Sequence, residues 1–377
     1  MTFERKNMNK AKKYVMLIIF LVLTAGTWIL WPVSKNHLDT ENHENRALSE
    51  FPEVSGTSPR DFISGLQTYF NDRLPFKNQL VSMNSAIDYY GFHSSPSSSV
   101  IVGKNGWLFY NDLQDGNPIA CYKGEDRLTD EQLANIAATL VTSRDNLLKE
   151  GIEFVIFIAP NKERIYQEDM PSYYGKPAGQ YAALQIYQYL KKHTDLRIIY
   201  PEELLRDSAL QYGESDLLYH KTDTHWNALG AYIGMEPLFK ELGTDMPSID
   251  DSGMDIAESK DDPGDLANML NLGKMINPGK NDVPKGYNEH HVENEKWDFG
   301  TEFVYHASGA DPRKLFMRRD SFGSAMSDIL GSQFDNSIMV HQNVYTNDMV
   351  KEQKPDIFIL ETVERYAAGT LGGFLYE

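Results

Sequence analysis

Cysteine is almost missing from this chain: Cys121 is the only one in 377 residues, so no intramolecular disulfide can form and the core must hold the fold. With no His or Asp motif around it, that thiol reads as a packing group rather than a nucleophile. Positive charge is short as well. Lys and Arg number 36 against 54 Asp and Glu, a net charge of −18, and no basic stripe with interleaved aromatics offsets it, which argues against nucleic acid as a partner. Metal-ligand spacing is also wanting: Asp223 and His225, with His220 nearby as a further candidate, have no obvious third and fourth ligand at a characteristic interval, since His290 and His291 fall in a variable stretch. No cofactor motif stands out. Apolar residues are not scarce, at 41% with 12% aromatic, so the body of the chain has ample core to fold.

The cations that exist are concentrated. Residues 1–13 carry Arg5, Lys6, Lys10, Lys12 and Lys13 against Glu4, a local balance of +4 that leaves −22 for the rest. Tyr14 to Trp31 follows with eighteen residues and no charge, close to the ~20 that cross a bilayer as a helix. Trp28 and Trp31 lie at its far end. Cations before the run and aromatics at its exit predict a cytoplasmic N-terminus and an extracytoplasmic remainder. The rival reading is a cleaved signal peptide; no A-x-A site or lipobox Cys follows the run, which favours an uncleaved anchor.

Residues 32–99 read as a polar stalk and a helical lead-in, with apolar spacing at Phe62, Leu66, Tyr69 and Phe70 broken at Pro75. From Val100 the pattern changes. Val100–Tyr110 reads as two short strands around a Lys-Asn-Gly turn. Thr129 caps a helix, with Gln132 at the capping-box position and Gly151 as its stop. Phe154–Ala159 is a short unbroken apolar run, as expected of a strand buried on both faces. Helices near 180–191 and 228–242, strands at 197–200 and 314–317, and a last strand at 356–360 continue the alternation. Together they predict a doubly wound α/β domain over residues 100–377. Residues 248–298 lose the pattern and read as a long irregular loop or lid.

Three segments carry the chemistry-bearing residues. In Tyr219-His220-Lys221-Thr222-Asp223-Thr224-His225-Trp226-Asn227, an extended backbone would point Asp223 and His225 the same way, so that the carboxylate orients the imidazole. In Leu315–Met326 a strand runs into a small-residue turn at Asp320-Ser321-Phe322-Gly323, where N–H groups beside Ser321 would stabilise charge on an acyl oxygen. The competing reading makes Ser321 an ordinary helix N-cap. In Lys354–Tyr366 a buried strand ends in Glu364 and Arg365, at the sheet edge where α/β folds bind ligands. Arg318, Arg319 and Arg365 together would make a local basic cleft.

These motifs, in this order, resemble the SGNH-hydrolase-like family of bacterial polysaccharide O-acetylation proteins, which includes the alginate acetyltransferases and the DHHW proteins. The matching pieces are the basic anchor, Glu44-Asn45-Arg46 with Phe51-Pro52, Asn71–Phe76, Gly103–Phe109, Ala159-Pro160-Asn161-Lys162, Asp223-Thr224-His225-Trp226, Asp320-Ser321-Phe322 and Pro355-Asp356. The resemblance implies a three-layer α/β/α domain with a mostly parallel sheet and circularly permuted motif order, preceded by a transmembrane helix. Ser321 would be the nucleophile, His225 the base and Asp223 its orienter, with Arg365, Gly323 and Trp226 as substrate or oxyanion candidates. Two departures stand out: Arg319 occupies the position of a glycine, and Arg365 that of an asparagine. Thr224, in place of the His of DHHW proteins, is expected to point away from Asp223 and His225. The implied activity is transfer of an acetyl group from a multi-spanning membrane acyltransferase to polysaccharide hydroxyls, with Trp226, Trp107 and Tyr366 as sugar platforms or core. An esterase with the same triad is the alternative. A non-catalytic polysaccharide-binding scaffold is a third reading, and it predicts Ser321 and His225 out of hydrogen-bond reach.

Overall fold

A computed structural model describes residues 2–34, 36, 48–53, 58–245, 254–258, 262–286 and 290–377. The Glu44-Asn45-Arg46 motif, most of the stalk and part of 248–298 lie outside these. The chain divides into two units, residues 1–96 with 270–272, and residues 97–269 with 273–377. In the first, helices cover Thr2–Ser34, Pro59–Asp72 and Lys77–Ala86. Ser58 caps the second of them by accepting from Asp61 N–H, and the break at residues 73–76 falls around Pro75. Residues 14–31 lie inside the long first helix. Among the described residues, however, no helix is long and apolar enough to cross a membrane, and the side chains of residues 23, 24, 27 and 28 lie outside those described.

The second unit is built on strands β1 Val100–Val102, β2 Leu108–Tyr110, β3 Glu153–Ala159, β4 Arg197–Ile199, β5 Met254–Glu258, β6 Lys280–Pro284, β7 His291–Trp297, β8 Glu302–Ser308, β9 Asp311–Arg319, β10 Phe334–His341 and β11 Ile357–Val363. Seven of them form the central sheet, in the order β4-β3-β11-β9-β10-β8-β7. The first five run parallel, while β8 and β7 add on antiparallel. The sheet is therefore mixed, a fuller structure than the parallel alternation predicts. Short-period apolar runs mark β3 and β11, buried on both faces. Strand β8 buries alternate residues, Phe303, Tyr305 and Ala307, while β7 is an exposed and mostly polar edge strand without alternation, so neither gives an unbroken apolar run.

Helices cover both faces. Asp130–Lys149, Ala182–His193 and Ala367–Gly373 pack over Phe154, Ile156, Phe316 and Phe358. Glu202–Tyr212, Ala228–Leu242 and Ser327–Gln333 pack over Val155, Phe157, Leu315 and Met317. Alternate residues of one strand thus feed two separate cores, each fully buried Leu or Phe contributing about 1.5–3 kcal/mol. The Asp130–Lys149 helix begins with the expected reciprocal box: Gln132 N–H donates to Thr129 Oγ1, and Thr129 N–H to Gln132 Oε1. It stops before Gly151, whose φ of 80° a β-carbon would strain.

Residues 248–298 are not a structureless lid. Their described parts hold β5, β6, β7 and the short helix Asp265–Met269. Residues 262–267 are laced to the loop that carries Asp223. Thr222 Oγ1 donates to Pro263 O at 2.7 Å, and Ala267 N–H to Thr222 O at 3.1 Å. A β-carbon on Gly264 would meet Thr222 O at 2.5 Å, so only glycine allows so close an approach. This stretch forms a fixed wall of the site.

Candidate active site

The site lies where β9 ends and the Asp223–His225 loop folds over it. Asp223 and His225 do not sit on an extended strand, as the spacing alone suggested. The loop turns, and Asp223 Oδ1 accepts both the backbone N–H of His225 at 2.9 Å and its Nδ1 at 2.7 Å. This is an Asx-type turn, in which a carboxylate binds the backbone two residues ahead. The second oxygen, Oδ2, accepts Asp265 N–H at 2.8 Å. Both carboxylate oxygens are therefore fixed.

The loop is pinned from below. Lys162, buried to 1% exposure, donates from Nζ to Asp223 O at 2.6 Å and His220 O at 3.2 Å. Its ammonium lies over the rings of Trp107 and Phe109. Burial pulls its pKa down to about 8. Beyond the loop, Asn227 Oδ1 caps the Ala228–Leu242 helix by accepting Gly230 N–H. A β-carbon on Gly230 would meet Leu218 O at 2.0 Å, so this helix can start so close to the preceding chain only at a glycine.

Ser321 follows directly after β9. Its Oγ stands 2.8 Å from His225 Nε2, and it makes no side-chain cap bond to the turn that follows. The N-cap reading is thus excluded, and so is the scaffold expectation that Ser321 and His225 stand apart. With Nδ1–H donated to Asp223, Nε2 is left to accept the Ser321 proton. Burial opposes a charged imidazole here. The hydrogen bond and charge of Asp223, with Asp265 adding to them, outweigh burial and raise the His225 pKa above its ordinary value. Burial likewise opposes ionisation of Asp223, but the His225 bond and the Asp265 N–H hold its pKa well below the carboxylate range.

The Ser321 turn is stapled to β11. Asp320, itself buried, accepts Phe322 N–H on Oδ1 at 2.8 Å and Val363 N–H on Oδ2 at 2.7 Å, while its own N–H donates to Glu361 Oε2 at 2.9 Å. Gly323 occupies a position closed to any side chain, since a β-carbon would meet Arg319 Cβ at 2.6 Å and Glu361 Oε2 at 2.9 Å. Arg319, fully buried, donates to Asp320 O, Ser324 Oγ and Phe299 O. It therefore braces the turn from inside.

The other site candidates divide. Arg365 comes close: its guanidinium carbon lies 5.4 Å from the Phe322 ring centre, on which the His225 ring also packs at 4.9 Å. Its charge is felt by His225, and its Nε is buried without a hydrogen-bond partner. Trp226 is not a sugar platform. It is 1% exposed, and its indole N–H donates to Phe322 O at 2.9 Å, tying the histidine loop to the serine turn. Trp107 is fully buried against Tyr166, and Tyr366 is half-buried with its hydroxyl on Asp115. The three arginines form no common cleft, because Arg319 is enclosed and Arg318 lies on the opposite sheet face from Met317. Cys121 is buried and its thiol pKa is pushed up by burial. Thr224 turns to Asp265 instead of the triad, its N–H donating to Asp265 Oδ1 at 2.7 Å.

The cleft in front of Ser321 has a volume of about 380 Å3. His220, Asp223, His225, Ser324 and Asp328 supply its polar lining, and Trp297 and Phe299 form an aromatic wall. Those two rings are 54% and 55% exposed and stand 4.5 Å apart. They are the exposed aromatics that sequence reading sought elsewhere, hidden in the acidic stretch. Asp265 was missed, and Lys162, though part of a matching motif, was given no role: nothing in sequence spacing relates residues 162, 223 and 265. Among the described residues, Asp223, His225 and Asp265 are the one acidic and imidazole group close enough to share an ion, but the Asp223 oxygens and His225 Nδ1 already bond one another and backbone N–H groups.

Proteins named probable alginate O-acetylase AlgJ are similar to this chain. The one from Pseudomonas syringae pv. tomato is 26% identical over 238 residues, covering 62% of this chain and 53% of its own. The one from Pseudomonas aeruginosa is 25% identical over 240 residues, covering 61% and 57%. The chain thus spans somewhat over half the length of these relatives. Among solved structures, Bacillus cereus PatB1 superposes with a TM-score of 0.52 at 14% identity, over 73% of this chain and 99% of that one, a likeness of fold. The match to the family described as "SGNH hydrolase-like domain, acetyltransferase AlgX" covers residues 100–299, just over half of the chain, and the protein belongs to that family.

Proposed function

We propose that this protein is an extracytoplasmic O-acetyltransferase that carries an acetyl group on Ser321 to hydroxyls of a cell-surface or secreted polysaccharide. The observation that carries the reading is the Asp223–His225–Ser321 relay, with contacts of 2.7 and 2.8 Å and an exposed serine in an aromatic-walled cleft. Ser321 Oγ attacks the acetyl carbonyl carbon and His225 Nε2 takes its proton. His225 then protonates the departing donor oxygen as its bond to the acetyl carbon breaks. A sugar hydroxyl attacks the acyl-serine next, giving its proton to His225, which returns it to Ser321 as that ester bond breaks. The N–H groups at Ser321 and Gly323 and the unpaired edge of Arg365 are the groups that would bear the developing oxyanion. Trp297 and Phe299 offer their faces to a sugar ring.

The donor in this reading is a multi-spanning membrane acyltransferase, since a soluble acyl donor has no ready supply outside the cell. Residues 14–31 would anchor the chain beside it as a single span, with residues 1–13 in the cytoplasm. The uncharged run and the cations before it support this arrangement.

Intact-protein mass spectrometry after exposure to 4-nitrophenyl acetate tests the chemistry. Wild type should gain one acetyl group that Ser321→Ala and His225→Ala both lack. Equal labelling of all three would end the serine assignment.

A further inference from the structure

We infer that a second pocket, on the sheet face opposite the Ser321 cleft, binds a carboxylate or phosphate carried on a sugar- or polyol-sized body, with Arg318 as its charge partner. The pocket measures about 410 Å3 and is lined by Arg318, Gln342, Thr346, Asn347 and Thr370, with Gly369 on its wall. This volume is in the range of small-molecule sites. Its position follows from β9. Phe316 joins the core beneath Asp130–Lys149 and Met317 the core beneath Ala228–Leu242, so Arg318 faces the side of Phe316.

Arg318 is an unusual residue for its place in the sheet. It pairs in register with Val340 on β10 and Leu360 on β11, in the middle of the sheet. Its Nη1 is buried without a hydrogen-bond partner, and among the described residues no carboxylate forms an ion pair with it. The guanidinium carbon lies 5.8 Å from the centre of the Tyr345 ring, at the outer limit of a cation–π contact, and the Tyr345 hydroxyl is turned to Asn347 Oδ1. Burial pulls the Arg318 pKa down, outweighing the more distant charges of Asp320 and Glu361. A charge so placed is costly unless something pairs with it. A planar guanidinium with a free N–H edge suits an oxyanion. The rest of the lining is uncharged: Gln342, Thr346, Asn347 and Thr370 offer hydrogen-bonding groups for hydroxyls, and Tyr345, Phe374 and Leu375 offer apolar surface for the carbon frame of a sugar or polyol. Arg319, one residue on, leaves its Nε unpaired too but spends both Nη atoms on Asp320 O, Ser324 Oγ and Phe299 O, whereas Arg318 makes no such bond among the described residues.

Calorimetric titration of the purified full chain with D-glucuronate, sn-glycerol 3-phosphate, inorganic phosphate and glucose tests the inference. Saturable binding is expected for glucuronate or glycerol phosphate, and whichever binds identifies the source of the anion. Ser321→Ala should bind as wild type does. Arg318→Gln should weaken binding about tenfold or more. Gly369→Leu should do the same while leaving Arg318 in place, since a β-carbon there meets nothing within 4 Å and the side chain would enter open space. The second variant decides the matter if the first fails to fold. Absence of saturable heat, binding that survives both variants, or glucose or bare phosphate binding as tightly as the larger anions would overturn the proposal.

Discussion

At the scale of single residues, the site depends on a proton being on the right nitrogen. Asp223 fixes Nδ1–H, so an amide there would leave the hydrogen bond without its acceptor charge and favour the wrong tautomer. Asp223→Asn should lower kcat/KM for ester cleavage by about 10^3 to 10^4 with the fold retained. The pH profile gives an independent check. His225 acts as base only when neutral, and its pKa is raised, so activity should rise with pH along a limb centred above the ordinary histidine value of about 6.5. That limb should move to lower pH in Asp223→Asn; one unchanged by the substitution would break the link between the two residues. Gly323 tests the serine turn through sterics. Gly323→Ala forces a β-carbon to within 2.6 Å of Arg319 Cβ, which should cost about 1–3 kcal/mol of stability, read as a fall in melting temperature.

At the scale of elements, the serine and histidine come from segments 96 residues apart in sequence that meet over one core, where Trp226 N–H donates to Phe322 O. Lys162, on the short turn after β3, holds the carbonyls of residues 220 and 223. Lys162→Met keeps the volume and removes both bonds. It should lower kcat by about tenfold to a hundredfold while KM for a small ester stays near wild type; an unchanged kcat would show that the loop holds itself. What could be read from the chain follows the same division. Residues near in sequence announced themselves: the Thr129–Gln132 box, the β3 and β11 runs, the Asp223–His225 pair and the Asp320–Ser321 turn each carry their signal within a few positions. Asp265, Lys162 and the Trp297–Phe299 wall do not. Their roles arise only when chain segments far apart in sequence meet, and the acidic composition of 248–298 hid three strands behind a pattern resembling a loop. Trp226 shows the converse error: an aromatic beside His225 looked like a platform, yet its N–H is spent joining the histidine loop to the serine turn.

At the scale of the whole molecule, the question is which hydroxyl reaches the acyl-serine. Water and sugar compete for the same carbonyl, and the open cleft admits both. A glycan gains advantage only by being held, and Trp297 and Phe299 are exposed aromatic faces lining the cleft. Covering such faces with a sugar ring removes apolar area from water at about 25 cal/mol per Å2, so removing both should weaken acceptor binding about tenfold without touching the relay. The Trp297→Ala, Phe299→Ala double variant should therefore take up acetyl from 4-nitrophenyl acetate at the wild-type rate. It should then lose the acyl group to water in place of oligosaccharide, seen as more free acetate and less acetylated sugar by mass spectrometry. If acyl-enzyme formation also collapses, the aromatic wall serves the donor. Should wild type itself release only acetate whatever sugar is supplied, the same three residues make an esterase.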